Sequence, residues 1–252
     1  MLKFKSGFTL AEVLITLAII GIVATLTIPA LINSYRKTQM LSALKRAYSE
    51  FNQAIVLMTN DAGTPNDLVA SGLFDSPPWQ EGLFAKQITK YLKIIKICGL
   101  NNSLDSGCMS DNAGTNFKGT GDRYSEDGGN GGYYSFLTAD GIAYKIYSYD
   151  FDTRKNCSVN DSKDGSLTKH VSQVCGVVII DTNGPGGAPN NWGVDIFQFD
   201  ITNGKGAMLY PPFSSEESTS WQTSNYCSDE KPETSITCAA KIMERGWQVT
   251  YF

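Results

Sequence analysis

The chain has 252 residues, of which 42% are hydrophobic and 18% charged, with a formal net charge of −4. That length suits one globular domain of about 190 residues plus a stalk. Residues 1–7 hold Lys3 and Lys5, and residues 8–60 hold four cations against Glu12 and Glu50, so residues 61–252 carry −8. An acidic head argues against a sequence-independent nucleic-acid platform and against docking on anionic lipid, since both need a basic face.

Residues 8–32 form an apolar run of 25 residues interrupted by one carboxylate, Glu12. At ~1.5 Å per residue a helix of that length crosses a ~30 Å hydrocarbon core. A charge inside such a helix costs several kcal/mol unless it is paired, so Glu12 marks function. An ordinary secretory signal has a shorter apolar region, about 7–15 residues, with its cleavage site after it. An uncleaved signal anchor is the bland alternative, but a simple anchor has no use for Glu12. Lys3 and Lys5 favour a cytoplasmic N-terminus, an argument weakened by Arg36 and Lys37 on the far side. Gly21 and Pro29 weaken the helix locally, either as a kink with a purpose or as ordinary membrane-helix composition.

The helix is expected to continue past the membrane. Leu41, Leu44, Tyr48, Phe51, Ile55 and Met58 recur every three or four residues and make one apolar stripe of the core-packing kind. Asn60 to Pro65 supplies the breakers that end it, which gives a helix over 8–60 and a globular head over 61–252.

In the head, Leu83, Phe84, Ile88, Tyr91, Leu92 and Ile95 follow Pro77-Pro78-Trp79 with helical spacing. Residues 99–132, rich in Gly, Asn, Asp and Ser, read as an irregular loop. Tyr133–Leu137 and Ile142–Tyr149 read as strands joined by Ala139-Asp140-Gly141, and Val177–Ile180, Val194–Ile201 and a short Ala207–Tyr210 follow. The expected fold class is α+β: a long N-terminal helix packed on a four- to five-stranded antiparallel sheet. Six cysteines, Cys98, Cys108, Cys157, Cys175, Cys227 and Cys238, all lie in the head without CxxC spacing, and His170 is the sole histidine, so disulfides are expected rather than zinc. Of the 15 pairings that six cysteines allow, the expected one joins neighbours: Cys98–Cys108, Cys157–Cys175 and Cys227–Cys238.

Lys3 and Lys5, followed by Gly7-Phe8-Thr9-Leu10-Ala11-Glu12-Val13-Leu14-Ile15, closely resemble the start of type IV pilins and type II secretion pseudopilins. The resemblance covers about an eighth of the chain. It implies a leader over 1–7, cleavage between Gly7 and Phe8 by a membrane prepilin peptidase, and methylation of the Phe8 amine. It further implies assembly through Phe8, Thr9 and Glu12, with the Phe8 amine of one subunit paired to Glu12 of a neighbour. The implied partners are the prepilin peptidase, other pilin or pseudopilin subunits, the inner-membrane assembly platform and the membrane itself. The implied localisation is a single-pass precursor in the bacterial inner membrane, with its head exported and its mature form in a periplasmic or cell-surface filament. A minor or specialised subunit is favoured by the long 99–132 and 211–238 segments, and a tip-located binding module or adhesin is the alternative.

No cofactor is required by this reading. Some secretion pseudopilins bind calcium in a head loop, and residues 181–195 look similar in kind: Asp181, Asn183 and Asp195 would supply oxygens. The competing reading is a turn whose carboxylates bond its own amides. Catalysis has little support. No Gly-x-Ser-x-Gly elbow accompanies His170. The acid pairs Asp150 and Asp152, and Glu216 and Glu217, read as loop residues facing water, while Asp161 and Asp164 are a weaker candidate pair for calcium. Trp79, Trp192, Trp221 and Trp247 are explained as well by core packing as by a carbohydrate platform.

Overall fold

The computed structural model describes residues 7, 9–74, 83–100, 106–109, 118, 133–148, 174–203, 209–211, 227–228 and 232–251. They fall into two compact units, Met1–Gln39 and Met40–Phe252. Helix α1, Leu10–Asp61, supplies residues to both.

The second unit is built on a sheet. Strands β1 (Ile94–Leu100), β2 (Tyr133–Thr138), β3 (Ala143–Ser148), β4 (Val174–Asp181), β5 (Ile196–Thr202) and β6 (Leu209–Tyr210) pair in sequence order, each antiparallel to the next. Sequence order is what short antiparallel connections produce. Thr138 sets the β2–β3 turn. Its Oγ1 donates to Asp140 Oδ1 at 2.6 Å and to the Ile142 carbonyl at 2.8 Å.

Register places one side-chain row across four strands: Phe136, Tyr144, Ile180 and Phe197 are successive partners. Tyr134, Ile146, Val178 and Phe199 form the next row. Partners in a row share a face, and all eight are buried. The apolar stripe of α1 closes over them. Leu44, Ala47, Phe51, Ala54, Ile55 and Met58 lie in the same core. Phe51 stacks on Tyr144 at 5.6 Å between ring centroids, and Tyr48 meets Phe199 at 5.4 Å. Burying such side chains is worth about 1.5–3 kcal/mol each, which makes this contact the principal stabiliser of the head.

Two expectations change. The helix read through Ile95 is split: α2 (Leu83–Ile88) runs into a 3-10 turn over Thr89–Tyr91, and Ile94–Leu100 is strand β1. Ile94, Ile95 and Ile97 are β-branched, stiff at χ1, and suit a pleated surface better than a helix. The described sheet therefore has six strands rather than four or five. A further helix, α3 (Cys238–Glu244), follows a 3-10 turn over Pro232–Thr237. Cys98–Cys108 and Cys227–Cys238 are disulfides. Cys175 is also disulfide-bonded, while Cys157 lies outside the described residues.

Candidate functional site

Thr9 stands immediately before the first turn of α1. Its N–H donates to Glu12 Oε2 at 2.9 Å and its Oγ1 donates to the same oxygen at 2.8 Å. The Glu12 N–H donates back to Thr9 Oγ1 at 3.3 Å. This reciprocity is a capping box, in which Ser or Thr is followed three residues later by Glu. It satisfies two N–H groups that a helix start leaves open, and it sets a negative charge on the positive end of the helix dipole. Sequence reading gave Glu12 an intermolecular role and missed this local one, although Thr9-x-x-Glu12 is its signature. Both bonds to the carboxylate fall on Oε2. Oε1 takes no hydrogen bond among the described residues.

The side chains that follow face outward. Leu26 is 74% exposed and Leu31 70%, and Leu14, Ile15, Leu17, Ile20 and Ile22 are exposed with them. Contiguous apolar surface of this kind demands a lipid or protein surround. Among the described residues α1 is the one helix long and apolar enough to cross a membrane. It runs unbroken through Pro29, where the missing N–H deprives the Thr25 carbonyl of its helical donor. A Cβ on Gly21 would meet nothing within 4 Å, so space does not require glycine there. Gly7 is exposed, whereas Met1 to Ser6 and Phe8 lie outside the described residues.

The second candidate is the loop between β4 and β5. Asp181 and Asp195 stand at its two ends, both buried. Asp181 Oδ1 accepts the N–H groups of Asn183 and Gly184 at 3.2 and 2.9 Å. Asp195 Oδ2 accepts the Asn190 N–H at 2.8 Å and Asn183 Nδ2 at 3.0 Å, and its Oδ1 accepts the Asn191 N–H at 2.7 Å. Asn183 enters these bonds as a donor, through its Nδ2. Backbone geometry needs glycine at two points. Gly184 has φ +71°, and a Cβ there would overlap the carbonyl of Gly141 in the β2–β3 turn. Gly193 has φ +79°, and a Cβ there would press on Cys238 Sγ. The Tyr251 hydroxyl donates to the Gly193 carbonyl at 2.7 Å, so the C-terminal segment holds the loop as well.

Two buried carboxylates with no cation beside them among the described residues are electrostatically unsettled. Burial first, then the charge of Asp195, lifts the Asp181 carboxyl to about 7, against the pull of its two amide donors. Burial also raises Asp195. Asp181 Oδ2 and Asn190 Oδ1 are buried without a hydrogen-bond partner. They are buried oxygens here that suit a cation, whereas both oxygens of Asp195 already accept from the loop. Among the described residues no group of three or more His, Cys, Asp or Glu side chains is arranged around a metal position.

The remaining candidates do not assemble. Trp192 is buried, and Trp247 packs edge-on against Tyr48 at 5.4 Å, so both serve the core. Trp79, Trp221, His170, Asp150, Asp152, Asp161, Asp164, Glu216 and Glu217 lie outside the described residues.

Residues 2–28 match a family model described as the prokaryotic N-terminal methylation motif. No curated protein and no solved structure matches the chain. The match spans Lys3 and Lys5, Gly7, the Thr9–Glu12 cap and most of the exposed apolar helix, and it identifies this N-terminus as a type IV pilin-like prepilin segment.

Proposed function

We propose that the chain is a subunit of a type IV filament or type II secretion apparatus. In this reading prepilin peptidase cuts between Gly7 and Phe8, the Phe8 amine is methylated, and the subunit polymerises through residues 8–32. The observation that carries the reading is an exposed apolar helix with a single carboxylate at its start, inside the matched motif. Glu12 Oε1 is open to a neighbour's Phe8 amine while Oε2 keeps the cap. Such a pair fixes register, because a slip leaves two charges unpaired in a low dielectric. The disulfides support export of the head to an oxidising compartment. The long 99–132 and 211–238 segments support a minor or specialised subunit, and low abundance in sheared filaments is the expected observation. Mass spectrometry of mature protein tests the processing step: a methylated Phe8 terminus is expected, and a mature terminus at Met1 overturns the reading. A bulky residue in place of Gly7 should block the cut.

A second property is favoured by the unpartnered Asp181 Oδ2. We infer that calcium is held at the 181–195 loop by Asp181 and Asn190, with Asp195 adding charge. An ion bound only to the folded head stabilises it by RT ln(1 + [L]/Kd). Millimolar calcium should raise the melting temperature of wild type but not of Asp181→Asn. An unchanged melting curve for wild type after chelation and after calcium addition leaves a self-satisfied turn.

A further inference from the structure

Residues 13–35 contain no Asp, Glu, Lys or Arg, and Arg36 lies 24 positions after Glu12. At ~1.5 Å per residue that separation is about 36 Å, and an ordinary helix tilt of ~20° still leaves about 34 Å across the bilayer. Either value exceeds a ~30 Å hydrocarbon core and falls inside the ~40–45 Å that includes both headgroup layers. A helix that crosses the bilayer therefore reaches one headgroup layer with Glu12 and the other with Arg36. The hydroxyls between them need no water. Thr16, Thr25 and Thr27 donate to the carbonyls of Val13, Ile22 and Val23 at 2.9, 2.8 and 2.9 Å.

Tyr35 is 67% exposed, and Arg36 beside it is exposed too. Residues 33–49 hold Arg36, Lys37, Lys45 and Arg46 and no carboxylate, so the acidity of the head does not extend to this part of the helix. No acid stands three or four residues from Arg36, where a helix would pair it. Arg36 makes no ion pair among the described residues, whereas Arg46 is held by Asp140 at 3.0 Å. Cations at the exported end also oppose the orientation that Lys3 and Lys5 favour, a cost that attraction to the membrane surface would offset.

We propose that Tyr35 and Arg36 anchor the precursor in the headgroup layer on the exported side, with the Arg36 guanidinium on the phosphate of an anionic phospholipid. The planar fork of arginine can hold two phosphate oxygens at once. Tyr35 lays its ring at the acyl boundary and keeps its hydroxyl in water, as tyrosines of interfacial belts do. Leu31 and Ile32, 70% and 44% exposed, lie one turn below and suit acyl chains, which a free phosphate or a nucleic acid would not supply. The anchor fixes depth, and through the length of the helix it keeps Glu12 at the opposite, hydrated surface. The inference rests on the membrane-inserted precursor above and adds its depth and its lipid class.

The test reconstitutes the full-length chain in nanodiscs of equal phosphatidylglycerol and phosphatidylcholine and counts retained lipids by native mass spectrometry. Wild type should retain phosphatidylglycerol over phosphatidylcholine about fivefold, the attraction expected of one Arg at an anionic surface. Arg36→Gln should bring the ratio to one. Arg36→Lys should keep part of it, since an ammonium keeps the charge without the fork. Lys45→Gln removes the same charge about 13 Å farther along the helix, beyond the headgroup layer, and should leave the ratio as in wild type. Near-UV circular dichroism should be unchanged in all three, since surface substitutions shift stability little. A photo-crosslinking amino acid in place of Tyr35 should form adducts with lipid. A ratio of one for wild type, a loss in Lys45→Gln equal to that in Arg36→Gln, or crosslinks at position 35 to a second copy in place of lipid overturn the anchor and leave the membrane reading intact. Release of the wild-type chain from cell membranes by alkaline carbonate overturns both.

Discussion

Leu26 and Leu44 are the same residue type on the same helix, yet Leu26 is 74% exposed and Leu44 wholly buried. The difference lies in the pattern around them. Residues 13–32 are apolar on every face, so no rotation of that helix could hide them within one subunit. From Leu41 onward the apolar residues keep to one stripe, and the chain buries that stripe against its own sheet. One region of α1 is therefore completed by its surroundings, and the other by its own fold. The comparison teaches that helix propensity says nothing about where an apolar side chain will be satisfied; periodicity does.

The sharpest way to break this contrast is at Glu12. Glu12→Ala should leave the head folded and the chain inserted, yet reduce incorporation into filaments at least tenfold, as scored by immunoblot of the sheared fraction. Glu12→Gln separates the two roles of the residue, because glutamine also completes a capping box but carries no charge. It should fail like alanine, and wild-type incorporation of the Gln variant would reduce Glu12 to a cap.

Next come paired truncations along α1. Phe51→Ala should cost about 3–5 kcal/mol of head stability, since Phe51 is wholly buried between Phe84 and Tyr144. Leu26→Ala should leave the head's thermal unfolding in detergent unchanged. Equal losses from the two would erase the distinction between the regions.

Replacing both Cys227 and Cys238 by serine should cost about 2–4 kcal/mol. Proteolysis should then open the segment around α3 first, and an unaltered digestion pattern would show that the bridge is dispensable there.

The smallest effect is read by pH. The folded head holds a proton on Asp181 that the unfolded chain has released between 3.8 and about 7. Its stabilisation is complete below the unfolded value and is lost as pH rises through the folded one. In chelator the head should therefore melt higher at pH 5 than at pH 8, a tenfold change in proton affinity being worth about 1.4 kcal/mol. Asp181→Asn should flatten that slope, and so should calcium, which holds the carboxylate charged. A slope that is identical in wild type and variant assigns it to other groups.

Much of the fold is legible in the residues because it follows from period and punctuation. The run over 8–32, the stripe from Leu41 to Met58, the Ala139-Asp140-Gly141 turn and the alternating strands all announce themselves locally. What escapes is set by competition. Leu83 to Ile95 keeps a helical period, but the β-branched Ile94, Ile95 and Ile97 and pairing with β2 overrule it. Helix α3 starts at a cysteine, after Thr237, with no side-chain cap hydrogen bond to signal it. In the 181–195 loop the acids and amides could be picked out, but which oxygen meets which amide depends on turns that Gly184 and Gly193 alone permit. At the N-terminus the importance of Glu12 was visible from its cost in an apolar run, while its bond to Thr9 needed the spacing rule applied to a residue already assigned another task.

The hydrogen bonds that begin α1 lie within residues 9–13, with the Thr9 carbonyl accepting the Val13 N–H at 3.3 Å. Among the described residues none reaches back before Thr9. On the proposed reading, an amine freed by a cut between Gly7 and Phe8 would meet a carboxylate that Thr9 already holds in place. Docking and undocking need no melting of the helix start. In the proposed filament, entry of a subunit would then require no rewinding of this first turn.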